Sequence, residues 1–339
     1  MSNRDTTKVP PDGGYGWVIT CAYALNNVVV LPLITSFGLV LQEAMADTEL
    51  TNTQITLVIV LNHSIGMLLS LFGGPTLRGF GYRKVAAAGA VFISVGLMIT
   101  SISTEFWQFI LSYSIICSMG IAAIMGAFTL AINSFFKDKR GRAIGVGMSI
   151  TGLGAIYMPL LISTLMYAYG WRYAVLILSA ICLHSLVAAC LLRPAKWYLV
   201  DPPSSEEAEP LNKEPEVELN CSVTTSSHVI VMLFTTSFTG MLVVALALGI
   251  TKALRTVYVN IVIPNYVPIH RLAYASGLQM FFSGITIFTI GSVLTRVREA
   301  SGSYEVPIIV LNFVTMLTII TWSAEFMYIR FKDRNKTTN

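Results

Sequence analysis

Nine apolar runs, each long enough to cross a bilayer and nearly free of charge, constrain this chain more than any other feature of its sequence. Six lie in the first two thirds, at 17–40, 54–77, 85–103, 107–135, 143–167 and 173–192; three more follow at 229–262, 272–295 and 305–329. A helix needs about 20 predominantly apolar residues to span the hydrocarbon core. Charged residues make up only 12% of the chain against 54% hydrophobic ones, and the charges cluster between the runs. A soluble domain carries about twice that charge, spread over every surface helix. The expected fold class is therefore an all-α polytopic membrane protein of about nine transmembrane helices.

Loop charges set the orientation. The tail before the first run carries Arg4 and Lys8, and it lacks the apolar segment and cleavage site of a signal peptide. The second-to-third loop holds Arg78, Arg83 and Lys84; the fourth-to-fifth holds Lys137, Lys139, Arg140 and Arg142; Arg193 and Lys196 follow the sixth run. The loops on the other side carry Glu43, Asp47, Glu49 and Glu105, with Arg172 as their one basic residue. Basic residues mark the cytoplasmic side, so the N-terminus is expected in the cytoplasm. Residues 194–227 contain five prolines and seven acids, a composition that cannot bury enough apolar surface to fold. The expected organisation is a cytoplasmic tail over 1–16, a six-helix bundle over 17–193, a disordered cytoplasmic linker over 194–227, a partial C-terminal bundle over 228–330, and a polar tail over 331–339.

Two motifs stand out. Pro11-Asp12-Gly13-Gly14-Tyr15-Gly16-Trp17 sits at the mouth of the first run; its aromatics suit a headgroup boundary, and its glycines let the backbone turn or lie close to a neighbour. The second begins Phe135-Phe136-Lys137-Asp138-Lys139-Arg140-Gly141-Arg142 and enters a helix rich in small residues, among them Gly145, Ser149, Gly152 and Gly154. Gly145, Ser149 and Gly152 fall at i, i+4 and i+7, a nearly bare helix face of the kind through which membrane helices associate. In order and spacing the two motifs resemble the signatures of the monocarboxylate transporter family, within the major facilitator superfamily. The signature positions here are Asp12, Gly13, Gly14, Tyr15, Gly16, Trp17, Phe136, Lys139, Arg140, Gly145, Gly152 and Gly154. The Gly74–Lys84 loop is similar to that superfamily's cytoplasmic loop motif, with Arg78 where an acid or amide is usual. Gly170-Trp171-Arg172, Ala275-Ser276-Gly277-Leu278 and Gly302-Ser303-Tyr304 also sit where the family places similar groups.

The resemblance implies a major facilitator-type six-helix N-terminal bundle plus an incomplete C-terminal one, the last three runs matching helices ten to twelve and leaving no counterpart of seven to nine. A plain nine-span insertion would place 251–271 and the basic tail Arg330–Lys336 outside, against the charge rule. A gene fragment, eight spans, or a partner supplying helices would each resolve that conflict. The resemblance also implies a lysine in the first helix, where this chain has Thr35, so proton symport through that group has no support here.

Intramembrane polar groups are functional candidates by default. Asn26, Asn62, His63 and Tyr157 lie within spans and, with Thr35, are candidates for a substrate path; helix–helix hydrogen bonding is the competing role. His63 could sense a proton near neutral pH. Lys252 and Arg255 form an i, i+3 pair; if the helix runs over 238–260 they sit deep, and Arg255 could bind a carboxylate through both oxygens. The five cysteines show no metal spacing and read as packing residues. No HExxH, GxSxG or paired intramembrane acids occur, so neither an enzyme, a metal site nor a cofactor is expected, and no nucleic acid. The function expected from the resemblance is secondary active (symport) or facilitative transport of a small organic anion or related metabolite, with or without a coupling ion, by alternating access. The expected location is the plasma membrane. The competing expectation is a non-transporting shortened member that associates with or regulates a full-length relative, or another accessory membrane protein.

Overall fold

The computed structural model describes residues 12–194 except 49 and 138, then Trp197 and Tyr198, residues 269–301, and scattered positions between 306 and 321. By contact the chain divides into two compact units: Met1–Ser204 with Ile263–Val293, and Ser205–Val262 with Leu294–Asn339. The first unit carries almost all the described elements, and every described element in it is helical.

Helix α1 spans Tyr15–Asp47, α2 spans Asn52–Leu69, and a 3-10 turn over Ser70–Phe72 leads into α3, Gly73–Phe80. Helix α4 spans Tyr82–Ile102; α5 (Phe106–Phe109), a π-helical stretch over Ile110–Cys117 and α6 (Ser118–Phe135) form one crossing. Helix α7 covers Arg140–Cys182 and α8 His184–Leu191. A break at Gly170, φ 77°, divides α7. The six N-terminal crossings expected from apolar length are all present, the fifth and sixth meeting at that break. Helix α9, Ile269–Ser301, covers the run at 272–295. The run at 229–262, the linker beyond Tyr198, the first eleven residues and the tail over 331–339 lie outside the described residues.

Local chemistry fixes the ends. Thr51 and Gln54 form a reciprocal capping box at the start of α2, the Gln54 amide donating to Thr51 Oγ1 and the Thr51 amide to Gln54 Oε1, which satisfies two otherwise orphaned donors. Gly81, φ 77°, separates α3 from α4. Lipid supplies no hydrophobic drive between helices, so close packing and buried hydrogen bonds hold them. Helices α4 and α6 meet backbone to backbone: a Cβ on Gly89 would lie 2.8 Å from the Gly120 carbonyl oxygen. Phe37 of α1 stacks on Tyr113 with centroids 4.1 Å apart. On the side opposite the N-terminus, Trp171 Nε1 donates to Asp47 Oδ2 at 2.7 Å, and the Arg172 guanidinium covers the Trp171 ring while donating to the Ser101 and Ser103 carbonyls.

Helix α9 runs antiparallel to α2. Cβ atoms added at Gly277, Gly284 and Gly291 would meet the Ser70 carbonyl at 2.6 Å, the Ser64 carbonyl and Met67 Cβ at 3.0 Å, and Val60 Cγ1 at 3.1 Å. The first turns of α9 therefore lie beside the loop that carries Arg78, on the same side of the bundle as the N-terminus. A plain nine-span insertion would reverse this direction.

Candidate functional site

The two signature motifs, more than 120 residues apart in sequence, fold against each other into one site. Asp12 accepts hydrogen bonds at Oδ1 from the Lys137 amide at 2.6 Å and the Lys139 amide at 3.3 Å, and its own amide donates to the Phe135 carbonyl. Lys139 is the N-cap of α7, so the carboxylate sits where the helix exposes unpaired donors and positive dipole charge. Arg140, 5% exposed, donates from Nε to the Phe136 carbonyl and lies within electrostatic reach of Asp12.

The glycines serve contact as well as turning. Gly14 adopts φ 56° to start α1. The Phe136 ring lies where a Gly16 side chain would be, 2.8 Å from the nearest added Cβ, and meets Trp17 edge-on at 5.5 Å. Gly13 accepts the Gly16 amide at 3.0 Å. Tyr15 donates its hydroxyl to the Leu191 carbonyl at 2.8 Å and stacks on Tyr198 at 5.0 Å. The first signature thus ties α1 to the start of α7 and the end of α8. Arg193, just past α8, lies over the Tyr15 ring and donates to the Tyr198 hydroxyl, a bond that raises its pKa further.

Helices α1 and α7 lock around a proline. Pro32 lacks the N–H that would pair with the Val28 carbonyl, and the Tyr157 hydroxyl donates to that oxygen at 2.6 Å. Gly154 makes room: a Cβ there would lie 2.2 Å from Pro32 Cγ and 2.9 Å from the Val28 oxygen. One turn before Thr151, a Cβ on Gly147 would lie 2.6 Å from Tyr23 Cδ1. The close-packed face of α7 is therefore Gly147, Thr151 and Gly154. The bare face anticipated at Gly145, Ser149 and Gly152 is turned away, and added carbons at Gly145 and Gly152 meet nothing within 4 Å. Both sets have the same spacing; Tyr23 and Pro32 of α1 select one of them.

The other path candidates that the structure describes have contacts of their own. Asn26 is fully buried and donates to Asn27 Oδ1 at 3.0 Å, and Asn27 in turn lies against the Tyr23 hydroxyl; Asn26 Oδ1 has no hydrogen-bond partner among the described residues. Asn62, 2% exposed, donates to the Tyr113 carbonyl at 2.7 Å inside the π-helical stretch. Such a stretch misaligns the helical ladder, and Asn62 with Ser114, which donates to the Val58 carbonyl, joins α2 to it. Thr35 is exposed and bonds back to the Leu31 and Pro32 carbonyls. His63 is half-buried on α2. Lys252 and Arg255 lie outside the described residues. Cys117 and Cys182 are buried, whereas Cys21 and Cys190 are exposed; all four are free thiols.

Arg78 has an aromatic partner: its guanidinium lies 4.6 Å from the Tyr274 ring centroid, and that ring also fills the space beside Gly74. Next to this pair a cavity of about 60 Å³ opens between the 3-10 turn, α3, α6 and α9, lined by Ser70, Leu77, Thr129, Leu272 and Ser276 among others. That volume is room for about two waters; a metabolite pocket requires about 300 Å³ or more. The Val28 carbonyl and the Arg78–Tyr274 pair were the contacts least anticipated from sequence. The proline four residues beyond Val28 signals the first, and nothing in the sequence signals the second.

Residues 16–220 match the Major Facilitator Superfamily. Similar proteins include Monocarboxylate transporter 13 of Bos taurus, 28% identical over 189 residues, covering 55% of this chain and 43% of that protein. Monocarboxylate transporter 2 of Rattus norvegicus is 28% identical over 55% of this chain and 38% of its own length; Monocarboxylate transporter 12 of Xenopus laevis is 25% identical over 66% and 47% respectively. The chain spans less than half the length of these relatives. Among solved structures, the crystal structure of the human organic anion transporter MFSD10 (TETRAN) superposes with a TM-score of 0.59 at 12% identity, covering 91% of this chain and 98% of that one. The match runs through the six N-terminal crossings and contains the whole of the second signature: the chain belongs to the Major Facilitator Superfamily.

Proposed function

We propose that this protein moves a small organic anion or related metabolite across the plasma membrane by alternating access, with its N-terminus in the cytoplasm. The observation that carries the mechanism is the glycine track of α9. Gly284 and Gly291 lie closely against α2, and Gly277 against the 3-10 turn that follows it; a small cavity opens at the Arg78 end of that seam. A smooth seam between an N-terminal helix and a late one suits two bundles that rock about a central site. The substrate class follows from relatives named as monocarboxylate transporters. Asn26, Asn62 and Tyr157 bond within the bundle, so Arg255 is the anion ligand we favour, and Thr35 offers no titratable group for proton coupling.

Uptake by proteoliposomes of the purified chain tests the reading across a panel of monocarboxylates and amino acids. Saturable flux is expected, and Arg255→Ala is expected to abolish it. Unchanged kinetics in that variant would reject the role of Arg255 alone. Absence of saturable flux in the parent chain would reject transport, and co-purification with a full-length relative would then favour the regulatory reading.

A further inference from the structure

We propose that the N-terminal-side ends of α4 and α8 form a binding site for the headgroup of an anionic phospholipid. On α4, Lys84, Ala88, Val91, Val95, Met98 and Ile102 follow one another at three- and four-residue spacing, and all are exposed. That stripe is apolar along its length and ends in a cation. Helix α8 packs beside α4, and Leu183 just before it continues through its exposed Val187 and Cys190 as a second line, which ends at Arg193. The Tyr82 hydroxyl donates to the Arg193 carbonyl and so ties the chain leaving α8 to the residue that precedes Arg83 and Lys84.

Three exposed cations are thereby gathered at the head of two lipid-facing stripes. Neither Arg83 nor Lys84 is paired with a carboxylate among the described residues. Arg193 spends one N–H on the Tyr198 hydroxyl and pairs with no carboxylate among the described residues. Trp197, 72% exposed and within a turn of Arg193, has the amphipathic ring that settles at headgroup level. Acyl chains lying along the stripes would bring a headgroup phosphate to these donors. The expected orientation faces them to the cytoplasmic leaflet, where anionic lipids attract basic juxtamembrane segments.

The test reconstitutes the full chain in phosphatidylcholine bilayers and compares the protein-bound fractions of spin-labelled phosphatidylglycerol and phosphatidylcholine. A preference of about fivefold or more for phosphatidylglycerol is expected at low salt, the contribution of roughly one well-placed cation, and it should fall as salt rises. Arg83→Gln/Lys84→Gln/Arg193→Gln should bring the two lipids to parity, whereas Lys137→Gln/Arg142→Gln, on the same side, should leave the preference intact. If the triple variant does not fold, Lys84→Gln alone should lower the preference. Parity in the parent chain, a preference untouched by these substitutions, or equal loss in the Lys137/Arg142 control would each overturn the site. Soluble glycerol phosphate at matched ionic strength should not compete; if it did, the ligand would be a free anion and the proposal would fail.

Discussion

Gly152 and Gly154 are two residues apart on one helix, yet they face opposite surroundings. A methyl group on Gly154 would fall 2.2 Å from the ring of Pro32, while one on Gly152 meets nothing within 4 Å. Gly154→Ala must therefore push α7 off α1, at about 1–3 kcal/mol for overpacking. Gly152→Ala should be neutral or stabilising by up to about 1 kcal/mol, because alanine is the better helix former. Thermal unfolding of the purified variants in one detergent checks the contrast; equal shifts would mean that the assigned face of α7 is wrong. Tyr157 gives a second prediction. Removing its hydroxyl leaves the half-buried Val28 carbonyl without that donor, a loss of about 1–3 kcal/mol. In a Pro32→Ala background the restored backbone N–H can take that carbonyl, so Tyr157→Phe should then do far less harm. A double-mutant cycle on unfolding midpoints measures the coupling, and additive losses would argue against it.

At the scale of elements, the spans were legible because apolar length and loop charge are one-dimensional signals. The rotation of each helix was not. A membrane helix is apolar on all sides, so periodicity does not distinguish a lipid face from a packed one. Gly145/Ser149/Gly152 and Gly147/Thr151/Gly154 are equivalent as patterns; only the partner helix, through Tyr23 and Pro32, separates them. The docking of Asp12 on the Lys137 and Lys139 amides was equally hidden, since both motifs could be named individually while their contact depends on the fold. The amides Asn26 and Asn62 were legible as polar groups within spans, whereas their bonds to Asn27 and to the π-stretch carbonyl of Tyr113 depend on the fold. The α2–α9 seam carries its own prediction. Gly284→Leu places a side chain where the Ser64 carbonyl and Met67 now lie 3.0 Å from an added Cβ, so α9 must separate from α2. Uptake should fall by at least about tenfold, since a shift of about 1 Å away from the chemistry can slow an oriented process by 10²-fold. Leu278→Ala, at an exposed position on the same helix, should leave uptake near parental. Similar uptake in both variants would remove the seam from the mechanism.

The direction of α9 bears on the topology of the whole molecule. Loop charge alone made a nine-span chain self-contradictory, because it put the basic 251–271 segment and the basic tail outside. In the structure α9 starts beside Arg78 and Gly74, through Tyr274, and ends beyond the Gly291–Val60 contact. Since α2 descends to the loop holding Arg78, Arg83 and Lys84, α9 rises from that same side. Arg271 then lies with the other basic loops, and one further crossing by the apolar run at 305–329 would return Arg330–Lys336 to them. We propose that single insertion, in which the charge rule and the direction of α9 are compatible, and it can be checked site by site. In a cysteine-free background, His270→Cys should react with an impermeant maleimide only after permeabilisation, as should Arg83→Cys at the head of α4. Ser301→Cys, at the far end of α9, should react in intact cells, and a tag after Asn339 should become accessible only when the membrane is opened. Labelling of His270→Cys from outside would mean that α9 is inverted relative to α2, and the glycine seam with its proposed rocking would have no structural basis.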